Sequence, residues 1–166
     1  MSVTTSGNGP RPAILVVDDD EILLASLARV LGGAEHLVET YATAEEAIER
    51  VKQGGVEVVV SDIVMPTLTG LELLRQVREV DPDLPVVLVT GTPAVETAIA
   101  AVEVGAFRYL VKPVAPATLR SAVARAVQVY RLALVKREAL AIVGGGRPPS
   151  DRVGLEVSFE RALDGL

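Results

Sequence analysis

The chain contains no cysteine, which excludes disulfides and thiol catalysis. Its single histidine, His36, cannot make a histidine-rich metal site and reads as a residue at the start of a strand. No apolar run approaches the ~20 residues that span a bilayer. Residues 1–12 are rich in Ser, Thr, Gly and Pro and lack the apolar core of a signal peptide. Positive charge is also in deficit: 16 Lys and Arg stand against 22 Asp and Glu, for a net charge of −6. Phosphate contacts need clustered Lys and Arg, so direct nucleic-acid binding is not expected, although a DNA-binding partner is not excluded. No repeat period is present. A cytoplasmic protein with no membrane contact is the simplest reading.

What is there suffices for a folded domain. The 166 residues are 49% hydrophobic and 23% charged, which fits one domain with a real core plus additional segments. After an expected disordered tail over 1–12, strand and helix patterns alternate. Short β-branched runs over 13–17, 37–41, 56–61, 85–89 and 107–111 read as strands. Between them, amphipathic helices are expected from about Asp20 to Leu31, from the cap Thr43 to before Gly54-Gly55, from about Leu71 to Val80 and from about Ala94 to Val104. Thr43 with Glu46 has capping-box spacing. A last helix begins near Ala115 or Pro116, carries the stripe Leu119, Val123, Val127, Tyr130 and Leu134, and meets no breaker before Gly144-Gly145-Gly146. Five strands alternating with five helices predict an α/β domain with a parallel sheet covered on both sides.

Three apolar runs end on charge. Ile14 to Val17 leads into Asp18-Asp19-Asp20, Val56 to Ser61 into Asp62, and Phe107 to Val111 into Lys112-Pro113. Ligands and chemistry collect at the carboxyl ends of such strands, where Thr90 adds a hydroxyl after the fourth run. Crowded carboxylates repel unless a cation joins them, and Mg²⁺ suits oxygen ligands. Asp62 can then serve as a nucleophile toward a phosphoryl group. Taken singly, each residue also fits a duller role: Asp18 to Asp20 as helix-start acids, Asp62 as a turn residue, Thr90 as a cap and Lys112 as a solvated strand end. Their joint placement at four strand ends on one sheet edge favours the chemical reading.

With Asp18-Asp19 after an ILVV run, Asp62-Ile63-Val64-Met65-Pro66 followed by Gly70, Thr90-Gly91, and Tyr109-Leu110-Val111-Lys112-Pro113, the stretch from about Ala13 to Val129 resembles the receiver domain of bacterial two-component response regulators. The resemblance implies a doubly wound five-stranded sheet of order 2-1-3-4-5. It implies that Asp62 is the phosphoacceptor for a sensor histidine kinase, a phosphotransfer protein or a small phosphodonor. It implies a Mg²⁺ held by Asp18, Asp19, Asp62 and the backbone carbonyl of Val64, with Thr90 and Lys112 on the phosphoryl group. Thr90 and Tyr109 become the switch pair that re-forms the surface of the fourth helix, fifth strand and fifth helix, and the Lys112-Pro113 bond is expected to be cis. Asp20 is assigned to the helix start. The positions two after Asp62 and two after Thr90 are Val64 and Thr92; neither carries an acid or amide to orient water, so a phosphorylated form that is not especially short-lived is expected.

Beyond the receiver, residues 130–143 are read as an extension of the last helix projecting past the sheet, 144–150 as a linker, and 151–166 as an amphipathic segment with Leu155, Phe159, Ala162, Leu163 and Leu166 roughly on one face. The tract Leu155 to Leu166 resembles the lead-in helix of EAL-type cyclic-di-GMP phosphodiesterase domains, whose catalytic residues are absent. The chain is then either a stand-alone receiver or the front of a longer protein, dimerising through the switch surface or the extended helix. It is expected to turn over only its own acyl-phosphate. One rival is a haloacid-dehalogenase-type phosphatase, for which Asp18 would be the nucleophile of a D-x-D pair with Asp20. Against it, Ile22 stands where that family usually has Thr or Val, no acidic pair follows a later strand, and the segment from Asp62 to Gly70 would have no role. The other rival is a receiver-shaped interaction module that is never phosphorylated.

Overall fold

The computed structural model of the protein describes residues 11–144; most of the expected N-terminal tail, the linker beyond Gly144 and the segment 151–166 lie outside the described residues. The elements are β1 (Ala13–Val17), α1 (Glu21–Leu31), β2 (Leu37–Tyr41), α2 (Ala44–Lys52), β3 (Val56–Asp62), α3 (Gly70–Val80), β4 (Val86–Thr90), α4 (Val95–Val104), β5 (Arg108–Val111) and α5 (Pro116–Val143). The strands form one sheet in the order β2-β1-β3-β4-β5, with every neighbouring pair parallel. This is the doubly wound five-stranded architecture expected from the sequence.

Local chemistry explains where the helices start and stop. The Asp20 carboxylate accepts from the N–H groups of Ile22 (3.0 Å) and Leu23 (3.2 Å) and so caps α1. Thr43 caps α2 through the Glu46 N–H. At α3 the box is complete: Thr69 accepts from the Glu72 N–H while Glu72 accepts from the Thr69 N–H. Gly54 and Gly55 both adopt left-handed backbone, at φ 81° and 75°, and reverse the chain from α2 into β3.

Successive strand residues point to opposite faces, and both faces are covered. Leu15, Val17, Val59 and Leu88 pack with Ala47, Ile48, Leu73, Leu74 and Val77 of α2 and α3 and with Ala101 of α4. Ile14, Val16, Val58, Val60, Val87 and Val89 pack with Leu24 and Leu31 of α1 and with Leu119, Val123, Ala126 and Val127 of α5. Two-sided burial is why these strands read as continuous apolar runs.

Three differences from the sequence reading have physical causes. β3 continues one residue further, because Asp62 pairs with Val89 of β4. β4 starts at Val86 instead of Pro85, which has no N–H to give the ladder and only accepts, from the Val59 N–H at 3.0 Å. The surplus of α5 does not simply project. Tyr130 and Leu134 round the lower edge of the sheet and join the cluster on the opposite face, and polar contacts tie the helix to the domain as far as Arg137.

Candidate functional site

The carboxyl ends of β1, β3, β4 and β5 meet at one edge. Asp18 follows β1 directly and is 2% exposed. Its N–H bonds the Tyr41 carbonyl of β2 at 3.1 Å, so its backbone is set by the sheet. One of its carboxylate oxygens accepts from the Asp20 N–H at 2.9 Å; the other accepts from the Lys112 ammonium at 2.9 Å. Asp62 ends β3. Its Oδ2 accepts from the same ammonium at 3.1 Å, and the Val64 N–H approaches its Oδ1 at 3.4 Å. Asp19 stands exposed beside them.

One carboxylate oxygen from each of Asp18, Asp19 and Asp62 lies within 4.8 Å of the others. At an effective dielectric of about 20, two charges some 5 Å apart repel by roughly 3 kcal/mol, less for the exposed Asp19. One ammonium cannot neutralise three carboxylates. An all-oxygen anionic cluster of this kind fits a hard divalent cation, which tolerates one or two carboxylates plus retained waters. Burial works against the charge of Lys112, but its hydrogen bonds to Asp18 and Asp62 outweigh it and hold its pKa above the ordinary lysine value. Lys112 therefore stays a cation at the site.

Thr90, the last residue of β4, is 1% exposed. Its hydroxyl oxygen accepts from the Thr92 N–H at 3.1 Å, and its carbonyl accepts from the Lys112 N–H at 2.8 Å. Thr90 and Lys112 are thereby fixed to each other by backbone. The Lys112-Pro113 peptide is cis. Val64 lies two residues past Asp62 with its side chain largely in solvent. Tyr109 stands apart from the acids: its hydroxyl meets Thr97 Oγ1 at 3.0 Å and accepts from the Ala94 N–H at 3.4 Å. It thus binds β5 to the first turn of α4, a helix without a side-chain cap of its own.

The structure brings Asp18, Asp19, Asp62 and Lys112 into one cluster and sets Thr90 beside Lys112. It gives Asp20 to the start of α1, and Tyr109 to a hydrogen bond with α4. Gly70 carries a constraint that the sequence shows only as a glycine. A Cβ there would stand 2.2 Å from the Asp62 carbonyl oxygen, and its N–H bonds the Ile63 carbonyl at 2.8 Å. The first residue of α3 is therefore packed directly onto the backbone of Asp62. Thr97 was not singled out by the sequence; a Tyr–Thr pair twelve positions apart has no signature there. Also unsignalled is the buried Glu57 at the opposite end of β3, which accepts from Arg131 Nε at 3.0 Å and lies 3.3 Å from His36 Nε2.

Comparison with known proteins agrees with this geometry. The family pattern described as the response regulator receiver domain matches residues 14–124. The chain is 35% identical over 126 residues to the C4-dicarboxylate transport transcriptional regulatory protein DctD of Rhizobium meliloti, a match covering 76% of this chain and 27% of that protein. It is 36% identical over 121 residues to the DNA-binding transcriptional regulator NtrC of Escherichia coli K12, covering 73% and 26% respectively. The chain thus spans about a quarter of the length of these regulators. Among solved structures, the beryllofluoride-activated NtrC4 receiver domain dimer in solution is similar at a TM-score of 0.67 and 31% identity, covering 71% of this chain and 98% of that one.

Proposed function

The chain belongs to the response regulator receiver family, and on that premise we propose that Asp62 accepts a phosphoryl group from a sensor histidine kinase or phosphotransfer protein. The observation that carries this reading is the Lys112 ammonium bridging Asp18 and Asp62 beside a third carboxylate. An Asp62 carboxylate oxygen attacks the phosphorus of a phosphohistidine. The P–N bond breaks, the imidazole leaves with the electron pair and takes a proton from solvent, and an acyl-phosphate forms. Lys112 and the Thr90 hydroxyl hold the anionic phosphoryl oxygens. Asp18, Asp19, Asp62 and the Val64 carbonyl would hold a Mg²⁺, which when bound would add to the neutralisation of charge on the transferring group. Asp18 is already oriented for such a role by the Asp20 N–H.

The output follows from the same edge. When the Thr90 hydroxyl turns to the phosphoryl group, Tyr109 exchanges its bond to Thr97 for a new position, and the α4-β5-α5 surface changes. That surface or the extended α5 pairs with a second copy or controls an output domain, of EAL type or another. The chain acts in the cytoplasm without contacting nucleic acid or membrane itself; no described helix is long and apolar enough to cross a membrane. It performs no catalysis beyond its own phosphorylation and dephosphorylation. The phosphatase alternative is disfavoured by Asp20, whose carboxylate is committed to capping α1.

The test is acetyl phosphate with and without Mg²⁺, followed by intact mass. Wild type is expected to gain one phosphoryl group only with Mg²⁺, and Asp62→Ala none. An adduct that survives Asp62→Ala but disappears in Asp18→Ala would restore the phosphatase reading. No adduct on wild type would leave an inert interaction module.

A further inference from the structure

The lower edge of the sheet, opposite the acidic cluster, carries a second set of charged groups that phosphoryl transfer does not use. Asp81 ends α3, where its N–H bonds the Val77 carbonyl, and its Oδ1 accepts from the Asp83 N–H at 3.0 Å. The same carboxylate accepts from the Tyr130 hydroxyl at 2.7 Å and from Arg137 Nη2. Arg137 Nε donates to Asp83 at 2.6 Å. Two side chains of α5, seven positions apart and so on one face of the helix, grip the two aspartates of a single loop. Past Arg137, Leu140 and Val143 are 60% and 84% exposed. Arg137 is the last described residue of α5 with a hydrogen-bonded side-chain partner.

The loop that is gripped is the far end of a rigid connection. α3 has 11 residues, about 16 Å of helix. Its first residue, Gly70, leaves no room for a Cβ against the Asp62 carbonyl. Its start is locked by the Thr69–Glu72 box. Near its end Arg78 donates to the Leu84 carbonyl, and to the Gly105 carbonyl at 3.0 Å, tying the helix to the same loop and to the end of α4. A displacement of the Asp62 backbone is therefore passed down α3 as movement of a rod, since a packed core does not deform continuously.

We propose that Tyr130, Asp81, Arg137 and Asp83 form a latch that sets the direction in which α5 leaves the domain, and that α3 couples this latch to the state of Asp62. Up to Val127 the helix is held by apolar burial against the sheet, and around the edge by Tyr130 and Leu134 in the opposite cluster and by Arg131 on Glu57; beyond Leu134 the ion pairs of Arg137 to one loop decide its path. Contacts of this kind re-form easily, so the helix has two positions, latched and released. The coupling half rests on the proposed phosphorylation of Asp62, whereas the latch itself does not.

The absence of cysteine allows clean labelling of the full chain. Arg75→Cys on exposed α3 and Leu140→Cys on the exposed end of α5 receive spin labels, and the protein is diluted with unlabelled chain so that only distances within one molecule are read. One narrow distance distribution is expected in the otherwise wild-type background, with loss of that single distance in Arg137→Gln. Tyr130→Phe, which keeps the ring in the core and removes only the hydroxyl, serves as the second variant should Arg137→Gln not fold. If Arg137→Gln, or Tyr130→Phe in its place, retains the narrow wild-type distance, the latch is overturned. Beryllofluoride with Mg²⁺ is then added. A shifted distance in wild type and none in the variant supports the coupling; bound beryllofluoride, seen by fluorine NMR, with an unmoved distance overturns it. Failure of beryllofluoride to bind at all overturns the Asp62 reading, and the coupling with it, while the variant comparison still decides the latch.

Discussion

Lys112 donates to two carboxylates at once, at 2.9 and 3.1 Å, so its removal is expected to act differently on the two proposed ligands, the metal and the phosphoryl group. Lys112→Met takes one positive charge from a cluster of three aspartates and is expected to leave Mg²⁺ binding intact or tighter. Phosphorylation by acetyl phosphate at saturating Mg²⁺ is expected to slow by roughly a hundredfold, the usual loss when one preorganised donor to a developing charge is deleted. A Mg²⁺ titration run beside the kinetics checks both, and an unchanged rate at saturating Mg²⁺ would remove Lys112 from the phosphoryl group. Gly70→Ala tests the neighbouring constraint. A Cβ at 2.2 Å from the Asp62 carbonyl forces either α3 or Asp62 to move, so urea unfolding should show a loss of about 1–3 kcal/mol together with slower phosphorylation. Gly33→Ala, with nothing within 4 Å, should leave both near wild type. At this scale the sequence shows acids and a lysine because each follows directly on an apolar run, so a strand end locates it. It does not show Glu57, whose partners His36 and Arg131 lie 21 and 74 positions away. Within the strand, Glu57 reads only as an interruption of the valines.

The elements themselves were readable because two-sided burial leaves uninterrupted apolar runs, and because Asp20, Thr43 and the glycine pairs punctuate them. Their ends moved where a neighbour decides the matter: Asp62 belongs to β3 only because β4 pairs with it. For α5, periodicity shows the stripe through Leu134 but not what holds it, since Asp81 is 49 residues from Tyr130 and 56 from Arg137. That contact predicts an acid dependence. Burial raises the pKa of Asp81, but the hydrogen bonds from Tyr130, Arg137 and the Asp83 N–H outweigh it and hold the carboxyl below its ordinary value. In the window just below the ordinary carboxylate pKa of about 4, the unfolded chain binds more protons at Asp81 than the folded one. The stabilisation is therefore complete above that window and is lost as pH falls through the depressed native value. Burial likewise raises Glu57, and His36 and Arg131 reverse the shift to a lowering, so the two groups act in the same direction. Tyr130→Phe is expected to cost about 1 kcal/mol near neutral pH, and that difference from wild type should shrink as Asp81 takes up its proton. Urea unfolding of both proteins at pH 6 and in steps below pH 4 checks this; a difference that stays constant with pH would mean that the tyrosine hydroxyl stabilises without the Asp81 charge.

For the whole molecule, the proposed pairing with a second copy has two candidate surfaces. α4 presents Val95, Ile99 and Val102 at 71%, 54% and 77% exposure, at spacings of four and three that put them on one face of the helix. Its inner face supplies only Ala101 to the buried core, so α4 is lightly held, and its start hangs on the Tyr109 hydroxyl. Movement of Tyr109 would shift α4 and the apolar stripe together. The extended α5 offers a second stripe with Leu132 and Leu140 exposed at 46% and 60%, broken by Lys136 and Arg137, the latter committed to Asp81 and Asp83. Stable association needs about 800 Å² from each partner. The continuous α4 stripe with the adjoining β5 can supply that more readily than the short run of α5 beyond the latch. Size-exclusion elution with beryllofluoride and Mg²⁺ is expected to shift wild type from monomer toward dimer. Ile99→Glu should abolish the shift, because it places a like charge from each copy into a desolvated stripe, while Leu140→Glu should leave it intact. The reverse pattern, with elution blocked by Leu140→Glu and unaffected by Ile99→Glu, would move the contact to α5. In that case the latch at Arg137 would itself control pairing, since it sets where Leu140 stands relative to the rest of the domain.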